Sequence, residues 1–104
     1  LPAWFADEAP SLSSGQWVRK PLYSREGANV ELIHDGRVVA VATGPYGAEG
    51  HVIQACQPLP VHEGRHVLVG SWLVDDEPAG MSIREDSGPI TRDMARFLPH
   101  VLLD

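Results

Sequence analysis

Asp35-Gly36, set between "VELIH" and "RVVAVAT", is the feature that most restricts how this chain can fold. Both flanking runs are rich in β-branched and apolar residues. A two-residue connection between such runs closes a hairpin when both central residues take positive φ, as a type I′ turn requires. Aspartate tolerates that conformation and glycine adopts it freely. Other segments follow the same logic. "WVRKPL" reads as a short strand, with Pro21 marking either an edge strand or the last paired position, because proline lacks an N–H. "HVIQAC" reads as a strand that "QPLP" must end. "HVLVGSWLV" and "GMSIRE" bracket "DDEPAG", a second hairpin with a polar tip. The glycines of "GPYGAEG" mark a loop, and residues 1–16 form an irregular lead-in. Only "TRDMARFL" has helical character, with Thr91 as its cap and Pro99 as its stop. The expected fold is α+β: a mostly antiparallel, β-rich sheet with hairpins and few short helices.

Length and charge restrict the function classes. The 104 residues make one domain or part of one. A net charge of −6 argues against general nucleic-acid binding, which needs a basic face to displace counterions. No apolar run reaches the roughly 18–20 residues that span a bilayer. The opening "LPAWFADEAP" lacks an initiator Met and a charged-then-apolar leader, so a piece of a longer protein is expected. The single Cys56 forms no internal disulfide and suits a reducing cytoplasm, the expected location. Trp72 and its Leu/Val-rich strand are expected in the core, and Trp4 and Phe5 on a neighbour. A piece separated from its partner exposes apolar surface, so self-association is also expected.

Several motifs invite chemistry. "HEGRH", His62 to His66, matches the H-E-x-x-H zinc-peptidase signature. That chemistry needs a helix to bring both histidines to one face. Gly64 in its centre, Pro58 and Pro60 upstream and a Val/Leu run downstream favour a hairpin loop instead. Asp75-Asp76-Glu77 reads either as a cation site or as a solvated tip, and Glu85-Asp86 as an acid/base pair or a strand end. Cys56 has no basic sequence neighbour and reads as a buried, inert thiol. Ser71, in "GSW", lacks the G-x-S-x-G elbow of a hydrolase.

"WVRKPLYSREGAN" is more informative. It holds Arg19, Lys20 and Arg25, three of the eight basic residues, within seven positions. A lysine at a strand end is a point cation able to reach a phosphate oxygen. A following loop built on Gly27 and Ala28 lets backbone N–H groups approach the same anion. A lysine on an edge strand before an ordinary turn explains the letters equally well.

Taken together, "VRKPLYSREGANV", "VIQACQPLP", "GSWLVDDEPAGMSIRED", "IT" and "FLPHVLL" resemble the C-terminal part of the glutathionylspermidine synthase family. The resemblance extends from Trp17 to Leu102. It implies an ATP-grasp fold and a ligase that joins a carboxylate to an amine at the expense of ATP. Residues 1–104 are then a single partial domain, the ATP-binding part of such a ligase. The resemblance places Lys20 on the nucleotide phosphates. It folds Arg25, Glu26, Gly27, Ala28 and Asn29 over them, with Glu26 near the nucleotide. Gln54, Ala55, Cys56 and Gln57 fall at the adenine-facing hinge, and Arg84 faces the transferring phosphoryl group as the catalytic residue. ATP and Mg²⁺ are the implied cofactors, with the metal ligands outside this segment, and peptide carboxylate and amine are the implied substrates. By this reading the isolated chain binds ATP weakly and is inactive. A non-catalytic β-rich interaction module and a small zinc hydrolase built on "HEGRH" are the alternatives.

Overall fold

In the computed structural model, which describes residues 1–103, Asp35 and Gly36 have φ of 47° and 75°. They close the hairpin between β3 (Glu31–His34) and β4 (Arg37–Val41), as the sequence predicts. The turn is anchored from outside: Gly15 N–H donates to Asp35 Oδ1 at 2.7 Å, and Asp35 N–H donates to the Gly15 carbonyl at 2.9 Å.

The chain divides into two compact units, Leu1–Pro58 and Leu59–Asp104. The first contains β1 (Ala3–Phe5), β2 (Gln16–Pro21), β3, β4 and β5 (His51–Ala55) in an antiparallel sheet ordered β1-β5-β2-β3-β4. The expected irregular lead-in thus contains a strand, β1, because its Ala-Trp-Phe run finds β5 to pair with. β2 is central rather than an edge. Pro21 is its last paired residue, opposite His51, where a missing N–H is tolerated. Val18, Ile33, Ala42 and Ile53 are the buried apolar residues, Ile53 at 2% exposure. Trp4 packs within the unit: its ring meets Trp17 edge-on at 5.7 Å.

The second unit is an antiparallel sheet ordered β6-β7-β8-β9: β6 (Val61–His62), β7 (Arg65–Val74), β8 (Glu77–Asp86) and β9 (Arg96–Leu98). Its two hairpins repeat the left-handed pair, with φ of 47° and 75° at Glu63-Gly64 and 50° and 62° at Asp75-Asp76. The buried residues Ile90, Ala95 and Asp86 lie around the β8 end that β9 and the preceding segment reach. The tip half of the ten-residue β7–β8 ribbon has no such cover. Trp72, expected in the core, is 63% exposed there, and Val69, Leu73 and Val74 are exposed beside it. An apolar strand is buried only where another layer covers it.

The described residues contain no helix, which corrects the expectation of short helices. "TRDMARFL" makes a single turn, Ala95 N–H to the Arg92 carbonyl at 3.1 Å, and then continues as β9. Arg92 is drawn to Asp86, and Arg96–Leu98 pair with Ile83–Glu85, so tertiary contacts override a modest helix propensity. Among the described residues no helix is long and apolar enough to cross a membrane.

Candidate functional site

Lys20 sits one position before the end of β2, opposite Val52 of β5, and register-paired residues project to the same face. Gln54, two residues along β5, therefore shares that face. Its carboxamide oxygen accepts a hydrogen bond from Lys20 Nζ at 3.0 Å. Gln54 thus meets Lys20 through its side chain, a role that a backbone hinge reading does not contain. Burial pushes the Cys56 thiol up, and the nearby Lys20 charge offsets part of that shift. The structure supplies the basic neighbour that the local sequence lacks, yet the thiol stays protonated.

The segment after β2 is tied down rather than open. Ser24 Oγ donates to the Ala28 carbonyl at 2.6 Å, Ala28 N–H to the Arg25 carbonyl, and Val30 N–H to the Gly27 carbonyl. Glu26, Gly27 and Asn29 take φ of 56°, 74° and 57°. Asn29 Oδ1 accepts from Tyr46 N–H at 2.8 Å, which joins this loop to the one between β4 and β5. Gly44 makes the close approach possible, since a Cβ there would lie 2.6 Å from Asn29 Oδ1 and 2.7 Å from Ala28 Cβ. Sequence reading missed Gly44 and Tyr46. A glycine with ordinary φ in a glycine-rich loop gives no sign of what it packs against.

Two N–H groups of the 54–57 segment already have partners. Ala55 N–H donates to the Pro2 carbonyl at 3.0 Å and Cys56 N–H to the Gln16 carbonyl at 2.9 Å. Neither of these two N–H groups is left open to a ligand.

Arg84, in β8 of the second unit, stands opposite Phe97 of β9, with its guanidinium carbon 5.1 Å from the ring centroid. Its Nη2 donates to the Arg92 carbonyl at 2.7 Å, while Nε is buried without a protein partner. The neighbouring arginines are ion-paired: Arg65 and Arg96 with Glu85, Arg92 with Asp86. Asp86, 5% exposed, accepts from Arg92 Nε and Nη2 at 3.1 and 2.6 Å and from the N–H groups of Arg92 and Gly88 at 3.0 and 3.3 Å. The Arg92 guanidinium holds this carboxyl well below the usual carboxylate range, against the upward push of burial; the two backbone donors add to the effect. Glu85 and Asp86 are thus ion-pair anchors, which the local letters, read as an acid/base pair or a strand end, do not reveal.

Lys20, Arg25 to Asn29 and Gln54 to Gln57 all belong to the first unit, and Arg84 belongs to the second. "HEGRH" forms the β6–β7 hairpin, not the helix that the zinc signature needs, with His62 paired to Arg65 and His66 to Val61. Asp75, Asp76 and Glu77 are exposed at the β7–β8 turn.

The family model described as "Glutathionylspermidine synthase preATP-grasp" matches residues 1–103. An acid–amine ligase of Haemophilus influenzae, so named, is 37% identical over 96% of this chain and 27% of its own length. Trypanothione synthetase of Crithidia fasciculata is 33% identical over 72% of this chain and 12% of its own. The chain spans about a quarter or less of the length of these two relatives. With an antiparallel β-rich architecture and a match along nearly its whole length, the chain belongs to the glutathionylspermidine synthase preATP-grasp family.

Proposed function

We propose that this chain supplies phosphate contacts to an ATP-dependent ligase that joins a carboxylate to an amine, within an ATP-grasp enzyme of which it is one part. One observation supports this above the others. Of the eight Lys and Arg residues, Arg19, Arg65, Arg92 and Arg96 are ion-paired with carboxylates. Among the described residues Lys20, Arg25 and Arg84 have no carboxylate partner, and Arg37, in the exposed β3–β4 hairpin, is the only other such cation. In a chain of net charge −6, cations left unpaired are the ones available to an anion.

On this reading Lys20 and Arg25 neutralise phosphate oxygens, and the Gly27–Asn29 backbone lies against them, with Glu26 beside the nucleotide. The Gln54–Gln57 segment takes the adenine side. Arg84 faces the phosphoryl group in transfer, where its planar set of donors suits charge shared over several oxygens. ATP supplies the phosphoryl group that turns the carboxylate into an acyl phosphate, which an amine then attacks with release of phosphate. The chain's own residues contribute positioning and charge neutralisation. The reading assigns this chain no magnesium ligand and places the acidic metal ligands outside this segment. It also holds that the 104-residue chain binds ATP without turnover and that the enzyme works in the cytoplasm.

The test is thermal unfolding with millimolar ATP. A ligand at about 100 times its Kd adds about 2.7 kcal/mol to stability. Wild type should rise in Tm and Lys20→Ala should rise less. No shift in the wild type would leave the second reading, a non-catalytic module that binds or self-associates through exposed Trp72, Leu73 and Val74. A mass that grows with concentration on size exclusion would favour that module.

A further inference from the structure

We propose that Asp86 and Arg92 are positioning residues for Arg84: the Asp86 carboxylate fixes residue 92, whose carbonyl then holds one end of the Arg84 guanidinium and leaves its Nη1 donors for a phosphoryl oxygen. The inference rests on the reading of Arg84 as the phosphate-facing arginine.

The chain of contacts is short and continuous. Arg84 and Asp86 are two residues apart on β8 and so project to the same face. The segment from Ser87 to Ala95 returns over that end of the strand. Asp86 Oδ2 takes both the N–H and the Nε of Arg92, and Oδ1 takes Nη2, so backbone and side chain of one residue converge on one carboxylate. The Arg92 carbonyl then accepts from Ala95 N–H at 3.1 Å and from Arg84 Nη2 at 2.7 Å. The Phe97 ring covers the guanidinium face. An arginine held at one end and on one face loses its rotamer freedom before the ligand arrives, and only its remaining donors have to be matched. A turn alone would not need the arrangement: the two backbone N–H groups on Asp86 already secure it, while the Arg92 guanidinium adds rigidity where the Arg92 carbonyl meets Arg84.

Coulomb's law and positioning predict opposite signs, which makes the proposal testable. Removing a carboxylate near Arg84 should strengthen anion binding through charge alone. The positioning role demands weaker binding. The experiment follows the Arg84 Nε–Hε NMR signal of the 104-residue chain during titration with inorganic tripolyphosphate. In wild type the signal should move with tripolyphosphate. In Asp86→Asn its proton should exchange faster and tripolyphosphate affinity should fall by about tenfold, the size of one charge-assisted contact misplaced. The Arg65 and Arg96 signals, held by Glu85, should stay as in wild type, which a general loosening would not allow. Arg92→Lys, which keeps the backbone contact and the charge, should fall between the two and decides the matter if Asp86→Asn fails to fold. Unchanged or tighter binding in the variants overturns the positioning role. A wild-type Arg84 signal indifferent to tripolyphosphate, with binding seen only at Lys20, overturns the reading of Arg84 and the positioning role with it. The same indifference at Lys20 would remove the nucleotide reading altogether.

Discussion

Lys20 Nζ donates to the Gln54 carboxamide oxygen at 3.0 Å across the β2–β5 ladder. Gln54 holds the ammonium with a neutral acceptor, so the cation is oriented without being neutralised. Gln54→Glu would replace that acceptor with a carboxylate. Such a partly exposed ion pair changes stability by about 0–1 kcal/mol, but it cancels the charge offered to a phosphate. The expected result is an unchanged urea midpoint and an ATP affinity reduced about tenfold, read by calorimetry. Undiminished ATP binding would show that Lys20 is not the phosphate cation.

Gly44→Ala should displace the very loop that the proposal lays against the phosphates, from a residue that itself contacts no ligand. The added methyl would sit 2.6 Å from Asn29 Oδ1 and 2.7 Å from Ala28 Cβ, so the 25–29 loop must shift. Overpacking of this kind costs about 1–3 kcal/mol. Urea unfolding should show that loss, and hydrogen exchange should quicken at Ala28 and Val30, whose N–H groups close the loop. Normal protection at both amides would mean that the two loops do not depend on each other.

Asp86 sets a pH signature. Its folded-state value lies below its ordinary value of 3.8, so its stabilising effect is complete above pH 3.8 and is lost as pH falls from there toward the folded value. Asp86→Asn should therefore cost about 1–3 kcal/mol at pH 7 from weakened and lost hydrogen bonds. The gap to wild type should stay level from neutral pH down to about pH 5 and close only in stronger acid. A gap that shrinks between pH 7 and 5 would point to another titrating group.

Two large apolar residues should respond in opposite ways. Ile53 is 2% exposed and pairs on both edges of β5, so Ile53→Ala should cost about 2–5 kcal/mol. Trp72 is 63% exposed, and Trp72→Ser should change stability by about 0.5 kcal/mol or less. Chemical denaturation of both variants settles the comparison, and a large loss from Trp72→Ser would mean that the ribbon is covered in solution.

Local signals and distant ones fared differently as guides. Asp35-Gly36 announced its hairpin because everything that decides a two-residue turn lies within six residues; "DDEPAG" announced a hairpin but not its tight turn, since only Asp75-Asp76 form the tip and Glu77–Gly80 already belong to β8. Pro21 was legible only as an alternative, since the choice between edge and last position depends on β5, thirty residues away. Trp72 misled because apolar character reports what a strand can bury, not whether another layer arrives. "TRDMARFL" misled because its Arg92 is bound to Asp86 and its Arg96–Leu98 pair with β8, contacts that no local pattern reports. The candidate cations could be named from pattern and resemblance, whereas Gln54, Gly44 and the Asp86–Arg92 pair emerge only from side-chain geometry.

The three left-handed turns carry a last implication. Each hairpin ends on an exposed acidic side chain: Asp35, Glu63, or Asp75 with Asp76. Two molecules approaching by the β7–β8 tip meet like charge at Asp75 and Asp76 before their apolar strands can align, so these two carboxylates act as bumpers for the uncovered Trp72–Val74 stretch.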